Sequence, residues 1–464
     1  MDNSRRKFIR NTGLVSLGFL GLNQCVLSGC KVNSEPGFGF GPLLHREGDI
    51  LSLPKGFTAK IISRKGDIMS DGFSSPGNHD GMGIFGRNDG KILLVRNHEL
   101  TPGSYGEGPF ANDKKLVDKI GKDKFYDFAN GGDRICVGGT TTMLYNEASQ
   151  KVELEYLSLT GTIRNCSGGK TPWNSWLTCE ETPYKKGDEN GALEKDHGYN
   201  FEVPATDKIG IAEPIPLKEM GRFVHESAAV DPVTGIVYQT EDEGNGLFYR
   251  FIPNEKGALH KGGRLQCLVI NEWKSADTRN FKESTTDRFP ERKSFDVSWI
   301  ELDNTDNPDG DLRERGHKAG AAIFSSGEGM SYGKGELFFT ASSGGEVNNG
   351  QVFRYIPSKY EGQPQEKDAP GKLELFIESK SNDTFRYCDN ITVAPWGDVV
   401  ICEDSEDARI IGITPGGKAY RIAQNIGYRE SEFAGPVFSP SGKTLFVNIQ
   451  SPGLTLAITG PWKS

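Results

Sequence analysis

Short apolar or β-branched runs of three or four residues recur along this chain, each preceded by a turn and followed by a polar cluster. Six segments share that plan: 86–99 (GRNDGKILLVRNHE), 171–181 (TPWNSWLTCEE), 231–243 (DPVTGIVYQTEDE), 332–344 (YGKGELFFTASSG), 394–406 (APWGDVVICEDSE) and 439–451 (SPSGKTLFVNIQS). A second strand pattern follows several of them, in HGYNFEVP, NGLFYRFIP, NGQVFRYIP and ARIIGITP. Runs this short, bounded by Gly, Pro, Asn and Asp, read as strands joined by tight turns. A repeated hairpin that cannot bury its faces alone is stable when stacked around a ring. The pattern therefore predicts an all-β chain, a six-bladed β-propeller, with a pair of β-sandwiches as the competing architecture. At 464 residues the chain far exceeds six compact blades of ~40–45 residues. Long inter-strand insertions are expected, at residues 106–133 and 274–318. The 59 glycines and 24 prolines agree with many turns.

The first 30 residues break the pattern. Ser4-Arg5-Arg6-Lys7-Phe8-Ile9 precedes an apolar stretch from Leu14 to Leu22, the order of a twin-arginine export signal. That stretch is too short to span a bilayer, which needs ~20 apolar residues. Leu27-Ser28-Gly29-Cys30 resembles a lipoprotein cleavage box, which marks Cys30 for lipidation; an ordinary soluble signal containing a cysteine is the alternative. The expected division is a signal over residues 1–30 and a single propeller domain over 31–464. It implies a periplasmic protein or one anchored on the extracytoplasmic side through Cys30. A formal charge of -9 speaks against a nucleic-acid partner and suits cation binding.

In a propeller, equivalent strand ends meet around one opening. Four repeats end in carboxylates: Glu99, Glu180-Glu181, Glu241-Asp242-Glu243 and Glu403-Asp404. Glu226 in His225-Glu226-Ser227, Glu328 in Gly327-Glu328-Gly329, and Asp389 before Ile391 are further candidates. Each alone reads equally as a solvated turn residue. Together at equivalent positions they would repel one another, and bound metal is the natural relief. Oxygen donors select calcium, while a nearby thiolate favours iron or another transition metal. Cys166 lies in Asn165-Cys166-Ser167-Gly168-Gly169, where glycines permit close backbone approach, a setting for a ligand or for an inert buried thiol. Cys179 and Cys402 lie inside apolar runs and read as core; His79 reads as a loop histidine, with a place beside Asp80 at the central opening as the alternative.

These segments carry a resemblance. The Arg-Arg-Lys signal, Asn97-His98-Glu99, Asn165 to Trp173 with Thr178-Cys179-Glu180-Glu181, His225-Glu226-Ser227-Ala228 and Thr444 to Gln450 are similar to the PhoX-type alkaline phosphatase family. The resemblance implies a six-bladed propeller with iron and calcium at a central site, Cys166, Glu226 and Glu328 matching the catalytic iron ligands. Glu99, Glu180, Glu241, Asp389 and Glu403 fall at or near its other acidic positions. It implies a monomer that hydrolyses a small phosphomonoester. One position departs: where the family carries Arg-Pro-Glu, this chain has Ser326-Gly327-Glu328, so the phosphate-gripping arginine is replaced by Ser326. Arg386, Arg313 or Arg315 are candidates to take its place. The departure keeps two other functions open, a calcium-dependent hydrolase of another ester or a lactone, and a non-catalytic lipoprotein binding module.

Overall fold

The computed structural model describes residues 38–130 and 134–463, so the signal and Cys30 lie outside the described residues. Among the described residues the helices are short, the longest being Leu312–Ala319. The described strands form five sheets in a β-propeller-like arrangement. One runs outward through His79–Gly86, Lys91–His98, Gly138–Asn146 and Lys151–Thr162. The next has Asn165–Lys170, Ser175–Glu180 and Asn200–Pro204. Another begins at Cys388–Val393 and continues through Val399–Glu403, Arg409–Ile413 and Ala419–Asn425 to Leu51–Pro54 and Leu43–Leu44. The sheet of Phe433–Phe438, Thr444–Ile449 and Leu454–Thr459 takes Thr58–Arg64 as its outer strand, so an early strand completes the last sheet.

The fifth sheet corrects the expectation that each repeat is a separate sheet. It holds nine strands, from His225–Val230, Val237–Glu241, Phe248–Pro253 and Gly263–Ile270 across Ser294–Glu301 to Lys372–Glu378, Gln351–Ile356, Glu336–Ala341 and Gly327–Gly333. The reason lies in the insertion at 274–318. Its strand Ser294–Glu301 pairs with Gly263–Ile270 on one side and with Lys372–Glu378 on the other, which covers two outer edges that would otherwise be open. The insertion at 106–133 instead buries Phe110, Val117, Ile120 and Phe125 in a satellite core.

The first strands of the repeats touch in cyclic order: His79–Gly86, Asn165–Lys170, His225–Val230, Gly327–Gly333, Cys388–Val393, Phe433–Phe438, and back to the first. Close approach requires small residues. A Cβ on Gly81 would lie 2.5 Å from the Ser167 Cα, and one on Gly329 would lie 2.6 Å from the Asn390 Cα. Between neighbouring repeats the apolar faces interleave, as in the aromatic stack of Phe248 on Phe339 (centroids 4.5 Å apart), which continues within the second repeat from Phe339 to Phe353 (5.2 Å). Residues from Gly39 onward form one compact unit.

Candidate active site

Every one of these inner strands carries the same irregularity. His79 faces His98 but Met82 faces Arg96, so Asp80 and Gly81 together oppose Asn97. The same β-bulge places Cys166-Ser167, Glu226-Ser227, Glu328-Gly329, Asp389-Asn390 and Gly435-Pro436 against single residues of their partner strands. A bulge breaks the alternation of a strand and re-aims a side chain. Its first residue is a carboxylic acid in four repeats, the cysteine in one and glycine in the last. Carbonyls released from the ladder are held by the neighbouring repeat. Asn97 Nδ2 donates to Ser167 O (2.7 Å), Thr240 Oγ1 to Glu328 O (2.6 Å), Thr340 Oγ1 to Asp389 O (2.6 Å), and Asn448 Nδ2 to Asp80 O (2.5 Å). The axial residues therefore sit on a backbone cross-braced from repeat to repeat.

These side chains converge. Ligand atoms of Cys166, Glu181 and Glu226 lie within 4.8 Å of one another, and so do those of Glu226, Glu328 and Asp389, which makes Glu226 common to both sets. Asp80 and Glu99 join through Gln450, whose Nε2 donates to both carboxylates at 3.0 and 2.9 Å. Ser342 Oγ donates to Glu328 at 2.7 Å. Asp80, Cys166, Glu226 and Glu328 are buried, whereas Glu181, Asp242 and Asp389 are partly exposed and Asp404 is exposed, so the ring opens to solvent on one side. Further along the same strands, an apolar cavity of about 400 Å³ is lined by Met82, Trp176, Tyr332, Val393 and Phe438.

The electrostatics follow from this crowding. Burial, then the neighbouring Glu328, Glu181, Asp389 and Asp80 charges, push the Glu226 carboxyl well above its usual range. Burial, followed by like-charged neighbours, does the same to Asp80 and Glu328, and to Glu432 beside Asp404. Asp389 is pushed up to about 8, by burial first and Asp404 next. Burial and the Glu226 and Glu181 charges also hold the Cys166 thiol well above its usual range. Without cations the ring is a set of acids that resist ionising.

Alternation explains which predicted residues the structure brings together. Cys166, Glu226, Glu328, Asp389 and Glu99 lie in the ring. Glu180, Glu241 and Glu403 do not, because each is the last strand residue and points away from the axis, while the next residue points toward it. Glu180 accepts from His197 Nδ1 (2.7 Å), Gly198 N (2.8 Å) and Ile163 N (3.0 Å). Glu241 accepts from Tyr249 (2.8 Å), Leu247 N (3.0 Å) and Arg313 (3.2 Å), and Glu403 from Arg386 N (2.7 Å) and Arg409 Nε (2.8 Å). The axial partners are Glu181, which shares a donor set with Cys166 and Glu226, and Asp242 and Asp404, whose charges help to raise the Glu328 and Asp389 carboxyls. Sequence reasoning gave no role to Glu432, Arg164 or Gln450, and named Asp80 only beside His79, as an alternative at the central opening. Asp80 had a signal, since it follows His79 as Glu226 follows His225. His79 itself is buried and structural, its Nε2 hydrogen-bonded to Pro76 O at 2.9 Å. Ser326 is buried, and its hydroxyl accepts from Ser343 at 3.2 Å.

A second donor set, Asp127, Cys136 and His197, lies away from the ring. It acts as a clamp. Asp127 is already saturated by the amides of Ala129 (2.7 Å), Glu194 (2.9 Å) and Lys195 (2.9 Å), and His197 bridges it to Glu180. Burial opposes charge on the His197 ring, but Glu180 and Asp127 outweigh it and hold its pKa well above the usual value. An imidazolium with carboxylates on both nitrogens has no lone pair for a metal. Replacing His197 with glutamine is expected to lower unfolding free energy by about 3 kcal/mol, read from denaturant midpoints, because two buried carboxylates lose their cation.

A sequence profile described as "Alkaline phosphatase PhoX" matches residues 38–453. The chain belongs to the PhoX alkaline phosphatase family. Membership makes it a phosphoric monoester hydrolase of a metal-dependent family. Among solved structures the chain is similar to Pseudomonas fluorescens PhoX in complex with vanadate, a transition state analogue, at 18% identity over 89% of this chain and 96% of that one, with a TM-score of 0.63. That likeness is one of fold. A gluconolactonase from Xanthomonas campestris is more distant, at 10% identity over 91% of this chain and 98% of its own, with a TM-score of 0.37. No curated protein sequence matches the chain. The residues of the PhoX-type ring fit metal ions on their own chemistry: converging carboxylates kept from ionising, one thiol among them, and a carboxylate shared by two donor sets.

Proposed function

We propose that this chain is an exported phosphatase that hydrolyses small phosphomonoesters at a central iron and calcium site, built on a propeller of six blades. The count of six rests on the six bulged inner strands, with the nine-stranded sheet taken as two blades joined at their edges. The observation that carries the functional reading is the sharing of Glu226 between two donor sets of different character. Cys166, Glu181 and Glu226 offer sulfur and oxygen and would hold iron; Glu226, Glu328 and Asp389 offer oxygen and would hold a second ion. Asp80, Glu99, Asp404 and Glu432 supply further oxygens of the kind calcium takes. Bound there, such ions supply Lewis-acid polarisation of the phosphoryl group. The chain's own contribution is to fix the donors on braced bulges and to leave the rim open for a phosphate group.

Export in the folded state by a twin-arginine route suits a site of this kind, because iron and a free thiol can be assembled before the protein meets an oxidising compartment. Lipidation at Cys30 would then tether a monomer to the membrane. The test is elemental analysis and p-nitrophenyl phosphate turnover of the purified wild type and Cys166→Ser together. Wild type is expected to contain iron and calcium and to turn over; Cys166→Ser is expected to lose iron and at least about 100-fold in rate. Turnover of another ester with calcium alone, indifferent to Cys166→Ser, would replace the phosphatase reading with that of a calcium-dependent esterase or lactonase. Absence of any turnover would leave a binding module.

A further inference from the structure

A ring of acids is a poor host for a dianionic phosphomonoester unless a cationic group faces the opening. The arginines suggested by sequence are committed elsewhere. Arg313 pairs with Glu241 and Glu243, Arg315 with Asp303 and Asp311, and Arg386 donates to the carbonyls of Glu406 and Asp407. Ser326 is buried against Ser343. Arg164, in contrast, reaches the axial ring. Its Nη2 pairs with Glu99 at 3.0 Å and with Glu181 more closely still. Its side chain is 32% exposed, while its Nε is buried and without a hydrogen-bond partner, as are those of Arg313 and Arg386.

The backbone holds it there. Arg164 stands two residues before Cys166 with φ of 48°, in the left-handed region that favours glycine. Its N–H donates to Leu100 O at 2.9 Å, and its carbonyl accepts from Glu181 N at 3.0 Å, so it is pinned between the residues that follow two second strands. The same conformation recurs two residues before the bulge at Asn78 (φ 43°), Ser326 (φ 55°) and Tyr387 (φ 44°), so Arg164 holds in its repeat the place that Ser326 holds in another. Both ion pairs run from one terminal nitrogen, Nη2, which leaves the other, Nη1, for a contact of the sort guanidinium groups make with phosphate.

We propose that Arg164 is the phosphate-binding side chain of this site, taking the place of the arginine that Ser326 lacks; this rests on the phosphatase reading above. Cations held by Glu99 and Glu181 would compete with Arg164 for those carboxylates and free its charge for the substrate. A lysine at this position would keep the charge and lose the planar fork.

The experiment uses the metal-loaded protein as purified, with wild type, Arg164→Lys, Arg164→Gln, and Arg164→Gln combined with Ser326→Arg. Four readouts separate the roles: KM and kcat for p-nitrophenyl phosphate, inhibition by inorganic phosphate, calorimetric binding of inorganic phosphate, and iron and calcium content. Arg164→Gln is expected to raise KM and weaken phosphate binding at least about 10-fold with metal content unchanged, and Arg164→Lys to recover part of the loss. Recovery in the double variant would show that position 326 and Arg164 serve the same anion. Phosphate affinity within twofold of wild type in Arg164→Gln overturns the proposal, as does metal content falling in step with activity, which is the signature of a purely structural arginine. A wild type that binds phosphate through Arg164 without turning over substrate would sink the phosphatase reading and keep the anion site. A wild type that neither binds phosphate nor hydrolyses ester overturns both.

Discussion

Replacing Glu226 with glutamine is expected to lower phosphomonoesterase activity by about 10³-fold while making the metal-free protein more stable than wild type. The two effects have one origin. Glu226 is the carboxylate common to both donor sets, so its loss weakens both at once. Lewis-acid stabilisation of a phosphoryl transition state is worth several kcal/mol, and about 4 kcal/mol corresponds to a thousandfold in rate. Without metal, however, Glu226 is a buried acid surrounded by Glu328, Glu181, Asp389 and Asp80. An amide of the same shape removes one charge from that crowd. Turnover and elemental analysis check the first half, and thermal unfolding after chelation checks the second. A fall in metal-free stability would mean that Glu226 braces the ring rather than straining it. Glu180→Gln is the informative control. It is expected to keep its metals and lose folding stability, because Glu180 serves His197 and three backbone amides.

That contrast marks where the sequence was legible. Turn, apolar run and acid repeat visibly, since each hairpin must present the same faces to its neighbours, and this was enough to anticipate an all-β ring. Cys166, Glu226 and Glu328 stood out through the motifs around them. The choice within Glu180-Glu181, Glu241-Asp242 and Glu403-Asp404 was not readable, because strand alternation gives opposite directions to adjacent residues and a one-residue error in the strand end exchanges them. Asp80 was obscured for a related reason. Its direction is set by a bulge, which appears only once the pairing with Asn97 is known. Arg164 leaves no signature at all in composition or spacing; its left-handed backbone and its reach to Glu99 are tertiary facts. The nine-stranded sheet depends likewise on Ser294–Glu301 finding two partners far apart in the chain.

Metal-free protein is expected to lose at least about 5 °C of thermal midpoint between pH 6.5 and pH 8, a loss that bound metal removes. A carboxyl whose pKa is higher folded than unfolded holds its proton more tightly in the folded state. Unfolded carboxylates ionise near pH 4, so above that the folded state is increasingly disfavoured until its own pKa is passed. Asp389, pushed up to about 8, spans the window, and Asp80, Glu181, Glu226, Glu328 and Glu432 are all pushed well upward. The lower limit is set by His79, His98 and His225, which burial first of all keeps neutral. Their unfolded forms gain protons below about pH 6.5, which makes stability rise with pH there and masks the carboxylates. Above pH 6.5 that opposition is gone. His197, held above its usual pKa, loses stabilisation in the same direction as the acids. Glu226→Gln is expected to reduce the metal-free slope by the share of Glu226, leaving the shares of His197 and of the five other acids that burial raises. Adding back calcium or iron to wild type is expected to abolish the slope, because a bound cation stabilises the ionised carboxylates that burial disfavours. A metal-free midpoint that rises between pH 6.5 and pH 8 would mean that the ring is not the electrostatic strain its geometry indicates.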